Sequence, residues 1–165
     1  MRSNRWAVGS ACVVALVASL PIEAGAKPKE TIRGVVNGHK LRLKNKQIDP
    51  GSNIVGAGGI DITGGTKPHR LGQTVKGLVV TCAEGPLAGG TLPGPGQVCT
   101  IAYTETKLSR NPTVKEWSTD PGSATVTFTS FAGGRVQGTF EGTLNALFGA
   151  TGSITANGTF SILVP

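Results

Sequence analysis

Five cations in the first strand-like stretch, "TIRGVVNGHKLRLKNKQ", have the types and spacing to form one anion-binding surface. Lys40, Arg42, Lys44 and Lys46 alternate along the chain, and a turn at Asn37-Gly38 sets Arg33 opposite Arg42. Successive side chains of a strand point to opposite faces, so the alternation places these cations in one row. Such a row concentrates anions by long-range attraction. The partners it suits are an anionic envelope polymer, such as lipopolysaccharide phosphate or teichoic acid, acidic lipid, or another envelope protein. A platform for single-stranded nucleic acid interleaves aromatic rings with its cations. This row has none, which argues against nucleic acid. The row also has a plainer role, since outward charges keep a sheet soluble and stop its edges from pairing with other chains.

Catalytic chemistry has less support. Nucleophilic catalysis needs a nucleophile, a base and a group that orients the base. The chain has two histidines, His39 and His69, and no Gly-x-Ser-x-Gly. A glycosidase needs two opposed carboxyl groups, and Asp49, Asp61 and Asp120 all adjoin turn signals. An envelope-directed glycan or ester hydrolase is therefore the alternative function, and it requires two of Asp49, Asp61, His39, His69 and Glu105 in one cleft. No catalytic residue, metal or cofactor is assigned. "GAGGIDITGG" fails the dinucleotide spacing, because Asp61 stands at the sixth position and no helix follows. Asn157-Gly158-Thr159 fits the glycosylation triplet, which matters only in a eukaryotic host.

Three cysteines divide along the chain in a telling way. Arg2 and Arg5 precede an uncharged, mostly apolar run from Ala7 to Leu20, and Pro21 ends it. Ala24-Gly25-Ala26 then offers small residues before Lys27. This is the layout of a secretory signal peptide over residues 1–26, and the apolar run is shorter than the ~20 residues that span a bilayer. Cleavage removes Cys12, lowers the net charge of +7 by one, and leaves residues 27–165 as a single domain. The mature chain holds no other long apolar run and is expected to be soluble, in the periplasm or outside the cell. In that oxidising setting Cys82 and Cys99 are expected to pair. The bond would stabilise the fold by about 3 kcal/mol through loop entropy.

The elements that must position these residues are strands. Charged residues make up only 15% of the chain and Gly, Thr and Val abound, below the usual charged quarter. Short alternating runs bounded by Gly, Pro, Asn and Asp recur with almost no helical periodicity. Asn37-Gly38 is the signature of a type I′ hairpin. It pairs Val36 with His39, Gly34 with Leu41 and Ile32 with Leu43 on an apolar face, leaving the basic row on the other. Residues 46–76 read as one or two strands with a long loop. In "GLVVTC", Leu78, Val80 and Cys82 share a face, and they match Tyr103, Ile101 and Cys99. The loop between the cysteines, with its prolines and glycines, is expected to lack regular structure. Residues 104–120 read as a connection with a helical turn near 106–109 and Trp117 as a core anchor.

"TVTFTSFAGGRVQGTFEGTL" places Gly138 and Gly142 on the face of Val136, Phe140 and Leu144. A three-residue connection at 132–134 would set Phe128 opposite Gly138 and Val126 opposite Phe140. Phe128 is then expected to cover Gly138, and Phe160 to cover Gly142, each ring filling the missing side-chain volume. The sequence Gly-Thr-Phe recurs at 138–140 and 158–160. Strands with one polar face predict an all-β, antiparallel two-sheet β-sandwich with one disulfide, the alternative being a small β-barrel.

Val36-Asn37-Gly38, the glycine-alternating stretch from Gly134 to Leu144 and the closing Asn157 to Phe160 together resemble exported bacterial β-sandwich proteins of unknown function. Many members of that group are lipoproteins, whereas Cys12 here lies inside the apolar run. The resemblance implies export and a β fold. It transfers no catalytic residue. With the basic row, it implies a binding or structural module of the cell envelope.

Overall fold

A computed structural model describes residues 29–48, 53–55, 59–68, 70–83, 90–92, 98–132 and 134–163. The expected signal peptide, Asp49 and His69 lie outside the described residues. The elements are β1 (Thr31–Val36), β2 (His39–Lys44), a 3-10 turn (Asn45–Gln47), β3 (Asn53–Val55), β4 (Gly59–Gly65), β5 (Thr74–Ala83), β6 (Gly90–Leu92), β7 (Val98–Lys107), β8 (Thr113–Ser118), β9 (Thr125–Ala132), β10 (Arg135–Ala146) and β11 (Ser153–Leu163). There is no α-helix among the described residues.

Turn chemistry starts the fold. Asn37 and Gly38 adopt φ values of 49° and 74°, the left-handed pair that a two-residue hairpin requires. The resulting register pairs Val36 with His39, Gly34 with Leu41, Arg33 with Arg42 and Ile32 with Leu43. Ile32 and Leu43 are fully buried, while Arg33 and Arg42 are exposed. The expected hairpin is therefore present with the expected faces.

The eleven strands of the described residues join one antiparallel sheet, along the path β2-β1-β11-β10-β8-β7-β5-β4-β3. β9 pairs with the first half of β10 and β8 with its last residues, and β6 pairs with β9. The path then returns towards its start. Ile48, just after β2, bridges to Gly64 on β4. A Cβ on Gly64 would lie 2.8 Å from Leu43 Cδ1 and 3.1 Å from Ile32 Cδ1. The first hairpin thus packs its side chains onto bare β4 backbone. Of the two architectures expected, the sheet takes the barrel-like one, nearly closed. Closure puts the apolar rows of every long strand inside, where Val36, Leu78, Val80, Ile101, Phe140, Leu144 and Ile162 are buried together.

The second half departs from the expected turns in instructive ways. Phe128 does oppose Gly138 and Val126 does oppose Phe140. The register is reached differently, however: Ala132 pairs with Arg135, and the ladder shifts at Gln137–Gly138, where one extra residue of β9 is skipped. A bulge, not a three-residue connection, corrects the parity. The expected helical turn near 106–109 is absent; β7 continues to Lys107 and β8 returns beside it from Thr113. The loop between the cysteines contains β6, so it is not wholly irregular; pairing to β9 supplies order that its own sequence lacks. Residues 153–163, by contrast, form a single strand, one of the two readings open to them beside a hairpin at Asn157-Gly158, held by β1 and β10 on its two sides.

Candidate functional site

The basic row lies on the outer face of the β1–β2 hairpin. Its inner face is claimed by Ile32, Leu41 and Leu43, which go into the core, so strand alternation forces Arg33, Lys40, Arg42 and Lys44 outwards. Lys46 follows in the 3-10 turn, where the Lys44 N–H donates to Gln47 Oε1 at 3.2 Å. All five side chains are exposed. None is ion-paired among the described residues, in which the single salt bridge is Lys76–Glu105 at 3.8 Å. The row is broadened by the outer face of β11, where Thr159 pairs with Arg33 and Ser161 with Thr31. The result is an exposed cationic strip on the outer face of the sheet.

Cys82 and Cys99 form the expected disulfide, with Cα atoms 4.1 Å apart. They are registered partners on β5 and β7, followed by Val80–Ile101 and Leu78–Tyr103. Both are buried and belong to the core, so the bond staples two barrel strands.

The candidate acids and bases of a hydrolase do not converge among the described residues. His39 is exposed at the tip of the first hairpin. Asp61 sits on the outer face of β4, where its Oδ1 accepts from Thr63 Oγ1 at 3.2 Å and from Thr81 Oγ1 at 3.4 Å. Glu105 lies on the inner face of β7. These are three separate places. No group of three His, Cys, Asp or Glu side chains that could hold a metal occurs among the described residues.

The inner end of β5, β7 and β8 carries a cluster that sequence patterning did not single out. Thr74, Lys107 and Thr113 form one registered rung, and Lys76, Glu105 and Lys115 the next. A cavity of about 230 Å³ opens between Thr74, Glu105, Lys107, Thr113 and Lys115. Below it the Tyr103 hydroxyl donates to Glu105 Oε1 at 2.9 Å, and the Tyr103 and Trp117 rings lie 6.0 Å apart. Burial first, then the hydrogen bond to Glu105 and its negative charge, push the Tyr103 phenol above its ordinary range. Trp117 is the buried anchor the sequence suggested, and its Nε1 has no hydrogen-bond partner among the described residues. The available signal was the alternation Tyr103, Glu105, Lys107, read as a connection because its charged residues masked a strand that faces the barrel mouth.

Comparison with family models, with curated proteins and with solved structures gives no match to this chain. Among the described residues no helix is long and apolar enough to cross a membrane.

Proposed function

We propose that this chain is an exported β-protein of the cell envelope, of the kind its sequence resembles, that binds an anionic envelope polymer through the β1–β2 strip. The observation that carries the reading is the exposed row Arg33, Lys40, Arg42, Lys44 and Lys46, unpaired among the described residues. Unpaired exposed cations in a row exert an undivided field, and a polyanion can meet several of them at once. The disulfide and the amino-terminal sequence suit an oxidising compartment.

The test is retention on immobilised heparin, used as a generic polyanion. The chain is expected to elute at raised salt, and Lys40→Gln, Arg42→Gln and Lys44→Gln together are expected to bring elution forward to that of an unretained protein. Retention unchanged in the triple variant would remove this surface as the binding site. Capture from an envelope extract by the oxidised protein, with the triple variant as its control, would then identify the polymer.

A further inference from the structure

We propose a second contact surface: the barrel end formed by the β4–β5, β7–β8 and β10–β11 connections docks onto an anionic lipid surface. The three most exposed large hydrophobic residues described are Leu71 (77%), Phe148 (66%) and Leu147 (64%). Scattered singly, such residues need no explanation. These three share one end of the barrel.

Their proximity follows from the backbone. The N–H of Gly72 donates to Leu108 O, which ties the Leu71 turn to the end of β7. β7 pairs with β8. The Leu147 N–H donates to Glu116 O, and the Glu116 N–H to Phe148 O, which ties the third turn to β8. Three strand spacings of about 4.8 Å, roughly 14 Å in all, therefore separate the Leu71 turn from Leu147 and Phe148. Val114, also exposed, lies on β8 between them.

Cations fill the space around this apolar band. Arg70 adjoins Leu71, Arg110 is in the β7–β8 turn, and Lys107 and Lys115 stand at the cavity mouth; all four are exposed. The acids nearby, Glu105 and Glu116, are half-buried, and Glu105 is engaged by Tyr103 and Lys76. Apolar loop tips ringed by Lys and Arg match the boundary between lipid tails and anionic headgroups. A protein partner would call for a broad continuous contact of about 800 Å² per side. Separate loop tips divided by cations do not offer one.

The experiment is flotation of the exported, oxidised chain with vesicles of phosphatidylcholine alone or with about 30% phosphatidylglycerol. Binding is expected to the anionic vesicles and to weaken with salt. Leu71→Ser, Leu147→Ser and Phe148→Ser together should lower the apparent affinity about tenfold or more, with the thermal unfolding midpoint retained because these side chains are outside the core. Lys107→Gln with Lys115→Gln should weaken binding and flatten its salt dependence. The strip variant Lys40→Gln/Arg42→Gln/Lys44→Gln is measured beside it: vesicle binding lost in that variant but kept by the triple serine variant would assign the lipid contact to the strip and overturn the proposal. No binding to anionic vesicles, or equal binding by the triple serine variant, overturns the proposal. Self-association abolished by the serine substitutions, without vesicle binding, would assign the patch to a second copy and overturn it as well.

Discussion

Phe160 stands directly across from Gly138, and its ring Cζ lies 2.6 Å from where a Cβ on that glycine would sit. Two positions along, the relation is reversed: Phe140 stands across from Gly158, with Cζ 2.7 Å from the corresponding point. The two Gly-Thr-Phe segments run antiparallel and fill each other's gaps. The covering rings are thus not those expected from the hairpin alone. Phe128 meets Phe160 edge-on at 5.9 Å instead of capping Gly138, and Gly142 is covered by Thr119 and Ile101, with no part taken by Phe160. The cross-strand neighbour β11, distant in sequence from β9, supplies the ring. Gly138→Ala is expected to cost about 2–3 kcal/mol in chemical denaturation, because the Thr127 carbonyl oxygen and the Phe160 ring occupy the site of the added methyl. Gly158→Ala should cost as much. Gly152→Ala, with φ 69° and nothing within 4 Å, should cost only the left-handed penalty of about 1 kcal/mol.

The Cys82–Cys99 bond closes a loop with a sequence separation of 17 and joins directly opposed residues. Reduction leaves the β5–β7 ladder in place, so its main effect is on the unfolded chain. Loop entropy sets the loss at about 3 kcal/mol. Urea unfolding of the oxidised chain and of Cys82→Ala/Cys99→Ala should differ by about that amount, with strand content by circular dichroism unchanged in the folded variant.

Local signals carried the first hairpin and the cysteine-linked pair completely. Asn37-Gly38 permits one turn length, and that length aligns Ile32 with Leu43 and Arg33 with Arg42. Cys82 with Cys99 likewise implies every pair up to Leu78–Tyr103. What stayed illegible depends on contacts between distant segments. The near-closure at Ile48 and Gly64 has no pattern of its own, since Gly64 looks like any loop glycine until Leu43 and Ile32 arrive above it. The bulge in β9 was hidden because two different connections produce the same Phe128–Gly138 pairing. Of the candidate surfaces, the strip was readable from alternation alone. The Tyr103–Glu105–Lys76 cluster was not, because it needs β5 and β7 side by side with their polar ends turned inward.

β2 pairs with β1 on one edge, and no described strand pairs along its other edge. An open strand edge is a template for another chain, and alternating Lys and Arg discourage that pairing by repulsion. Lys40→Thr, Arg42→Thr and Lys44→Thr together keep strand propensity while removing the charge. This variant is expected to self-associate at concentrations where the parent does not, as read by size-exclusion chromatography with light scattering. A variant with the parent's mass at every concentration would show that the charges do not guard the edge.

Tyr103 makes stability depend on alkaline pH. Its phenol is raised above its ordinary range by burial, by its hydrogen bond to Glu105 and by that group's charge. In the unfolded chain the phenol ionises at about pH 10. Below that pH both states hold the proton and the contribution is fully present. Above it the unfolded chain loses the proton first, so it binds fewer protons than the folded chain and the free energy of unfolding falls as pH rises. The slope contributed by this one residue approaches about 1.4 kcal/mol per pH unit while the folded phenol stays protonated. Tyr103→Phe removes the phenol and leaves every other ionisable group of the chain in place. The unfolding free energy of the parent relative to Tyr103→Phe should therefore be constant from pH 7 to about pH 10 and decline beyond. A difference that stays flat through the alkaline range would mean that the hydroxyl is free to ionise in the folded barrel, and that neither its burial nor its bond to Glu105 restrains it.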